Sequence, residues 1–268
     1  GGIYVFADDV LIEGNRLYAT HPRDTDHPVT FIDVVGGRRW VVRGNLIHDF
    51  QKLLGDGISY AGFLKGNSRD GVFERNLVIC SRFFSGGTRL GLSLGGGGTG
   101  QQFCEDGSCV TEHQNGTLRN NLILNCDDVG IYLNRAAGTR IDHNTLFNTT
   151  GIDVRFSTSS ATLRNNVLSS VIRNRDGGTS TQSGNLLSVP LATLRGWFSA
   201  PDLGDFRALD ASSLRDLGVA GSGVVDDYCG DDRDDGLPDI GALEYDGELD
   251  CDTRLDAPPA ALFANGFE

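Results

Sequence analysis

No stretch of the chain approaches the run of about 18 apolar residues that a membrane helix needs, which excludes a helical membrane protein. Lysine occurs only at Lys52 and Lys65, against 21 arginines. No basic stripe with interleaved aromatics appears, which argues against a nucleic-acid partner. Methionine is absent and only 7 prolines occur. The 6 cysteines show no zinc-site spacing, so disulfides and export are favoured over a metal module. "CEDGSC" carries a turn between Cys104 and Cys109 and is expected to close locally, and Cys229 and Cys251 to staple the tail. Cys80 and Cys126 follow equivalent stretches and read as buried thiols.

What the chain does contain is a repeat. A short apolar run ends in asparagine at Asn15, Asn45, Asn76, Asn121, Asn144, Asn166 and, more weakly, Asn185, with spacings of 30, 31, 45, 23, 22 and 19. The last three fix a period near 22, the first two allow a loop insertion, and 45 reads as two units. Such a period marks a solenoid, in which each unit buries its apolar side against the next. Three residues before the asparagine stands Ile12, Val42, Phe73, Leu118, Ile141 or Leu163. A second apolar pair follows the asparagine, and a third strand follows a bend, as in "GIYLN" (130–134) and "GIDVR" (151–155). Three short strands per turn describe an all-β parallel β-helix. A leucine-rich repeat lacks support, because the strict leucine spacing and a repeated helix are both missing. Asparagine suits the bend because it tolerates left-handed backbone and its amide can bond to its copy one coil away.

Coils are expected over residues 1–190, a C-terminal capping segment packed on them over 191–250, and a flexible tail over 251–268. The opening "GGIYVFADDVLIEGN" contains no signal peptide and reads as mid-coil, so N-terminal coils are expected to be missing. The net charge of −13 is uneven: from residue 201 onward 18 acids face 4 arginines, leaving residues 1–200 nearly neutral with 18 acids and 19 bases. "DDYCGDDRDDG" (226–236) lacks an ordered calcium-ligand spacing and reads as a solvated acidic loop.

Two outward columns emerge from the repeat. Glu13, Arg43, Glu74, Arg119, Asp142 and Arg164 alternate in sign, which reads as a register-fixing surface ladder. One coil is expected between Glu74 and Arg119. The third-strand column is chemically varied, with Phe63, Lys65, Tyr132, Asn134, Asp153, Arg155 and Arg173, and long loops flank it. Loops on one side of a solenoid wall a binding groove. Aromatics, amides and cations together suit a sugar polymer that carries carboxylates or sulfates. Glu112 and His113 are placed to hang over that groove.

The repeats over residues 5–190 resemble the right-handed parallel β-helix proteins of the pectin-lyase-like superfamily. Within it, "GFLKGNSRDGVFERNLV" (62–78) is similar to the lysine-bearing coil of the chondroitinase B and alginate lyase family. In that family a lysine removes the proton at sugar C5, an arginine on the next coil assists departure of the glycosidic oxygen, and calcium neutralises the uronate carboxylate. The resemblance implies that Lys65 is the base. The arginine's own position aligns with Ser93 in "LGLSLGG" (90–96), and Arg89 nearby is the candidate in its place. Calcium is a possible cofactor, with Asp56 the close acid. Tyr132, Asn134, Asp153, Arg155 and Arg173 are the substrate-binding candidates. The expected function is that of a secreted bacterial monomer acting on, or binding, acidic polysaccharide, with β-elimination as the leading chemistry. The alternatives are a non-catalytic binding or adhesion module and a glycoside hydrolase, for which Asp153 and Asp176 would supply the two carboxyl groups.

Overall fold

Three-residue strands are too short to hold a hairpin, and they persist here because each is paired on the coil before and the coil after it. The computed structural model describes residues 6–245 and Thr253. A first sheet stacks Leu11–Glu13, Val41–Arg43, Val72–Glu74, Thr117–Arg119, Thr139–Asp142, Ser160–Arg164 and Thr179–Ser183 in chain order. A second stacks Arg16–Tyr18, Leu46–His48, Leu77–Ile79, Leu122–Leu124, Thr145–Phe147 and Val167–Leu168. A third stacks Val29–Val35, Ile58–Lys65, Thr88–Leu94, Ile131–Asn134, Gly151–Arg155 and Val171–Arg175. All three sheets are parallel, so the chain is a parallel β-helix with three strands per coil.

Alternation sends every second side chain inward, where equivalent positions stack. Val42, Phe73, Leu118, Ile141 and Leu163 form one such column, and each is fully buried. Burying each contributes about 1.5–3 kcal/mol. The last coil breaks the pattern. Asn174 and Gln182 occupy inward positions that Val154 and Leu163 fill one coil earlier. Ser180 Oγ donates to Asn174 Oδ1 at 2.8 Å and accepts from Gln182 Nε2 at 3.2 Å, so this coil closes its end of the core with polar groups.

All seven asparagines form one continuous chain of hydrogen bonds. Each donates its backbone N–H and Nδ2 to Oδ1 of the next, from Asn15 to Asn45 at 2.9 and 3.0 Å through to Asn166 and Asn185 at 3.0 and 2.8 Å. Nδ2 also donates to a carbonyl on the previous coil, as from Asn121 to Phe73 at 2.9 Å. Two expectations are corrected here. Asn76 bonds directly to Asn121, so the spacing of 45 is one coil with an insertion and no coil intervenes. The left-handed residue is the one before the ladder asparagine, namely Gly14, Gly44, Arg75, Asn120, His143, Asn165 and Gly184, with φ between 53° and 67°.

The charged column holds where the acids are glutamates. Arg43 bridges Glu13 at 2.6 Å and Glu74 at 3.6 Å, and Arg119 reaches Glu74 at 2.5 Å. Asp142 is too short to join: one of its oxygens is buried without a partner, and burial pushes its carboxyl up to about 6. Cys80 and Cys126 are not thiols but a disulfide tying two adjacent coils, with Cα atoms 4.8 Å apart. Cys104 and Cys109 are bonded to each other. Cys229 is also in a disulfide, and its expected partner Cys251 lies outside the described residues, as does most of the expected tail.

After the coils, a helix at Leu191–Trp197 and an antiparallel pair, Phe198–Ala200 with Asp205–Ala208, begin an irregular segment. It lies along the outer face of the second sheet, where Leu194, Phe198 and Phe206 pack on Leu122, Leu124 and Phe147. The acidic loop is not simply solvated. Asp227 is buried, and its Oδ1 accepts from the N–H groups of Cys229, Gly230 and Asp231 at 2.7–3.0 Å. Arg233 is buried against Glu244 and donates to the carbonyls of Asp226 and Gly241. His143 joins this segment to the coils: Nδ1 meets the Asp239 carbonyl at 3.1 Å, and Nε2 accepts from Asn165 Nδ2 at 3.1 Å. That arrangement requires the neutral Nδ1–H tautomer, and burial holds the imidazole down at about 3.

Two outcomes follow from these contacts. Asn121→Ala strands donors and acceptors on Asn76, Asn144 and Phe73 and is expected to cost about 3 kcal/mol or more in chemical denaturation; a loss within experimental error would deny the ladder its role. Burial holds the His143 pKa in the folded chain below the ordinary imidazole value of about 6.5, so its contribution to stability is present above that value and is lost as pH falls toward about 3. Acidification across that window should lower the protection factors of the Val219 and Ile240 amides, taken relative to the intrinsic exchange rate at each pH, in the wild type, and His143→Gln should remove part of the dependence.

Candidate functional site

The third sheet presents two outward columns. Asp33, Phe63, Ser93, Tyr132, Asp153 and Arg173 stand in register in one. Val35 pairs with Lys65 in the other, and beyond a break Asn134, Arg155 and Arg175 align. The break is Gly95. A Cβ there would stand 1.9 Å from the Asn134 carbonyl oxygen, so only glycine fits. The chain then leaves the sheet and crosses its face: a Cβ on Gly96 would meet Lys65 Cδ at 3.3 Å, and one on Gly97 would meet Asn134 Nδ2 at 3.2 Å. The single groove expected from Lys65 to Arg173 is therefore divided by a strip of glycine backbone.

On the far side of the strip the charges satisfy one another. Asp153, 1% exposed, takes Arg173 and Arg175, both at 2.6 Å. Arg155 bridges Asp176 at 2.5 Å and donates to the Tyr132 hydroxyl at 3.2 Å. Tyr132 and Asn134 are themselves buried. The two carboxyl groups considered for hydrolysis, Asp153 and Asp176, are each held by arginine.

On the near side Lys65 lines a cavity of about 390 Å³ with Phe6, Val35, Gly98, Thr99, Gly100 and Phe103. Its Nζ lies 4.1 Å from the centroid of the Phe63 ring and 3.8 Å from Asp33 Oδ1. Burial pushes the Asp33 carboxyl up, and Lys65 pulls it down. The loop that walls the cavity is anchored at several points. Thr99 Oγ1 and the Gly66 N–H donate to Glu112 Oε2 at 3.1 and 2.9 Å. Glu105 N–H donates to the Gly66 carbonyl at 3.0 Å, and Asn67 Nδ2 to that of Thr111 at 2.9 Å. Glu112 does not hang over a groove. It is fully buried, burial pushes its carboxyl up, and its Oε1 has no partner. His113 is also buried, with Nδ1 2.7 Å from Ser68 Oγ and its pKa held down at about 3.

Arg89 is not beside Lys65. It pairs with Ser59, six residues before Lys65 on the neighbouring strand, which at about 3.3 Å per residue is roughly 20 Å away. Its side chain is fully buried, donating to the Cys80 carbonyl at 2.5 Å, Gln51 Oε1 at 2.7 Å and the Gly86 carbonyl at 3.0 Å. It pins the loop over residues 80–87. Ser93, where the resemblance puts the arginine, is buried and donates to the carbonyls of Gly95 and Tyr132. For calcium, the residues do not assemble a site at Lys65: Asp56 is held by Lys52 at 2.5 Å. Among the described residues the tightest group of metal-ligating types is Cys104, Cys109 and Glu112, and both sulfurs belong to the disulfide.

Phe6, Asp33, Thr99 and Phe103 escaped the sequence reading. The one sequence signal was the glycine run 95–98, since glycine inside a strand pattern marks close backbone approach. Residues 1–188 match the family described as the right handed beta helix region. Among solved structures, the crystal structure of pectate lyase Pel9A is similar, with a TM-score of 0.54 at 16% sequence identity. The similarity covers 90% of this chain and 66% of that one, and at such identity it concerns the fold. No curated protein matches the chain.

Proposed function

Because the chain belongs to the right-handed β-helix family, we propose that it is an exported protein that binds acidic, uronate-bearing polysaccharide, holding a sugar carboxylate on Lys65. The observation that carries this reading is the cavity itself: one ammonium group, aromatic walls and a hydroxyl at Thr99 within about 390 Å³. Pockets of this kind are mostly apolar with a few placed polar groups, and their usual range of about 300–1,000 Å³ includes this one. Lys65 offers charge and Thr99 a hydroxyl, in a lining that includes Phe6 and Phe103. Similarity to a pectate lyase supports a uronate polymer as the ligand class. Disulfides support an oxidising compartment. Among the described residues no helix is long and apolar enough to cross a membrane.

A second reading is β-elimination, favoured by the presence of an amine in that cavity on a lyase-like fold. Lys65 would take the C5 proton, and a second cation would have to mask the carboxylate. Arg89 is too deeply buried to do so, and for that reason binding without cleavage is the better-supported reading.

Calorimetric titration of alginate, pectate, chondroitin and glucuronan tests both. One of these polymers should bind, and Lys65→Ala should lose about 1.5–3 kcal/mol, roughly ten- to a hundredfold in Kd. Asp33→Asn frees Lys65 from its competitor and should tighten binding. Binding unchanged in Lys65→Ala would reject the site. Appearance of the ultraviolet absorbance of unsaturated uronate, lost in the same variant, would select elimination.

A further inference from the structure

We propose that the Lys65 cavity receives the end of an acidic sugar chain and not its middle, an inference that rests on the binding function proposed above. A polymer lying along a β-helix face needs a path that is open at both ends of the bound segment. Here the path toward the later coils is shut. Gly96 and Gly97 run against Lys65 and Asn134 so closely that even a methyl group would be in contact, which leaves no space for a pyranose between strip and sheet. Beyond the strip, Tyr132 and Asn134 are buried and the arginines are paired.

The strip is not poised to lift. Gly95 N–H donates to the Leu64 carbonyl at 2.7 Å, Thr99 is tied to the buried Glu112, and Glu105 to Gly66. The Cys104–Cys109 disulfide closes the loop on itself, and Arg38 reaches across to Glu105 at 3.3 Å. On the opposite side Phe6 packs against Gly36, where a Cβ would fall 2.1 Å from the ring. The result is a pocket with a closed inner end, sized for a short saccharide. A terminal uronate would set its carboxylate on Lys65 and its ring in the cavity beside Thr99. The rest of the chain would leave through the mouth, making few further contacts.

The consequence is that affinity depends on the number of chain ends and not on length. The test is calorimetric titration of the full chain with oligogalacturonates, oligoguluronates and oligoglucuronates as dimers, tetramers and octamers. In the series that binds, Kd per mole of oligosaccharide should stay within about twofold from dimer to octamer, with one oligosaccharide per protein. A Kd that falls about tenfold or more with length, or several proteins bound along one octamer, would overturn end binding while leaving the acidic-polysaccharide reading intact. Failure of all three series, together with the parent polymers, would overturn both. Lys65→Ala adds a control: it should weaken the dimer and the octamer by the same factor, and a loss confined to the octamer would contradict the proposal.

Discussion

The buried stack of asparagine amides is the constraint on which the rest of the structure depends. Each Oδ1 accepts two N–H groups from the coil before it, and each Nδ2 also serves a carbonyl at the same corner. Without these bonds the corner would bury unsatisfied backbone polar groups, at a cost of about 1–3 kcal/mol each. With them, every coil is held in register to its neighbours, whatever its loops do. That explains how repeats of 19 and 45 residues coexist in one solenoid. The insertion in the longest coil is absorbed away from the ladder, and it is this insertion that builds the pocket.

The pocket arises from a second, local constraint. Crossing a sheet face in van der Waals contact requires a chain without side chains, and the glycines at 95–97 supply it. Once the strip is in place, the outward columns have different roles on either side. Toward the later coils Asp153, Arg155, Arg173 and Arg175 form a self-satisfied lattice that stabilises the surface. Toward the earlier coils Lys65 is left with an aromatic ring and a carboxylate at 3.8 Å, a distance too long for a hydrogen bond. Burial is thus what separates a structural arginine such as Arg89 from a lysine open to a ligand.

The coil architecture was legible because it rests on periodicity: the ladder asparagines, the inward column from Val42 to Leu163 and even the weak Asn185 all sit where spacing puts them. The Glu13–Arg43–Glu74 ladder was legible for the same reason, but the direct contact of Glu74 with Arg119 was not, since the spacing of 45 put a coil between them. What spacing does not encode is where an insertion goes. The path of residues 95–97 decides that Asn134 is covered, and no repeat predicts it; Tyr132 is buried instead against Leu90 and Val129. The pairing of Cys80 with Cys126 was hidden by the misread spacing of 45, which placed a coil between two that are adjacent. Arg89 misled because nearness in sequence along a strand is distance in space.

The most direct test of this account is a crystal structure of the full chain with an acidic oligosaccharide bound. A sugar carboxylate should lie within hydrogen-bond reach of Lys65 Nζ, with the remaining sugar residues leaving away from Tyr132. Sugar density lying across Tyr132 and Arg155, with residues 95–99 displaced, would contradict it.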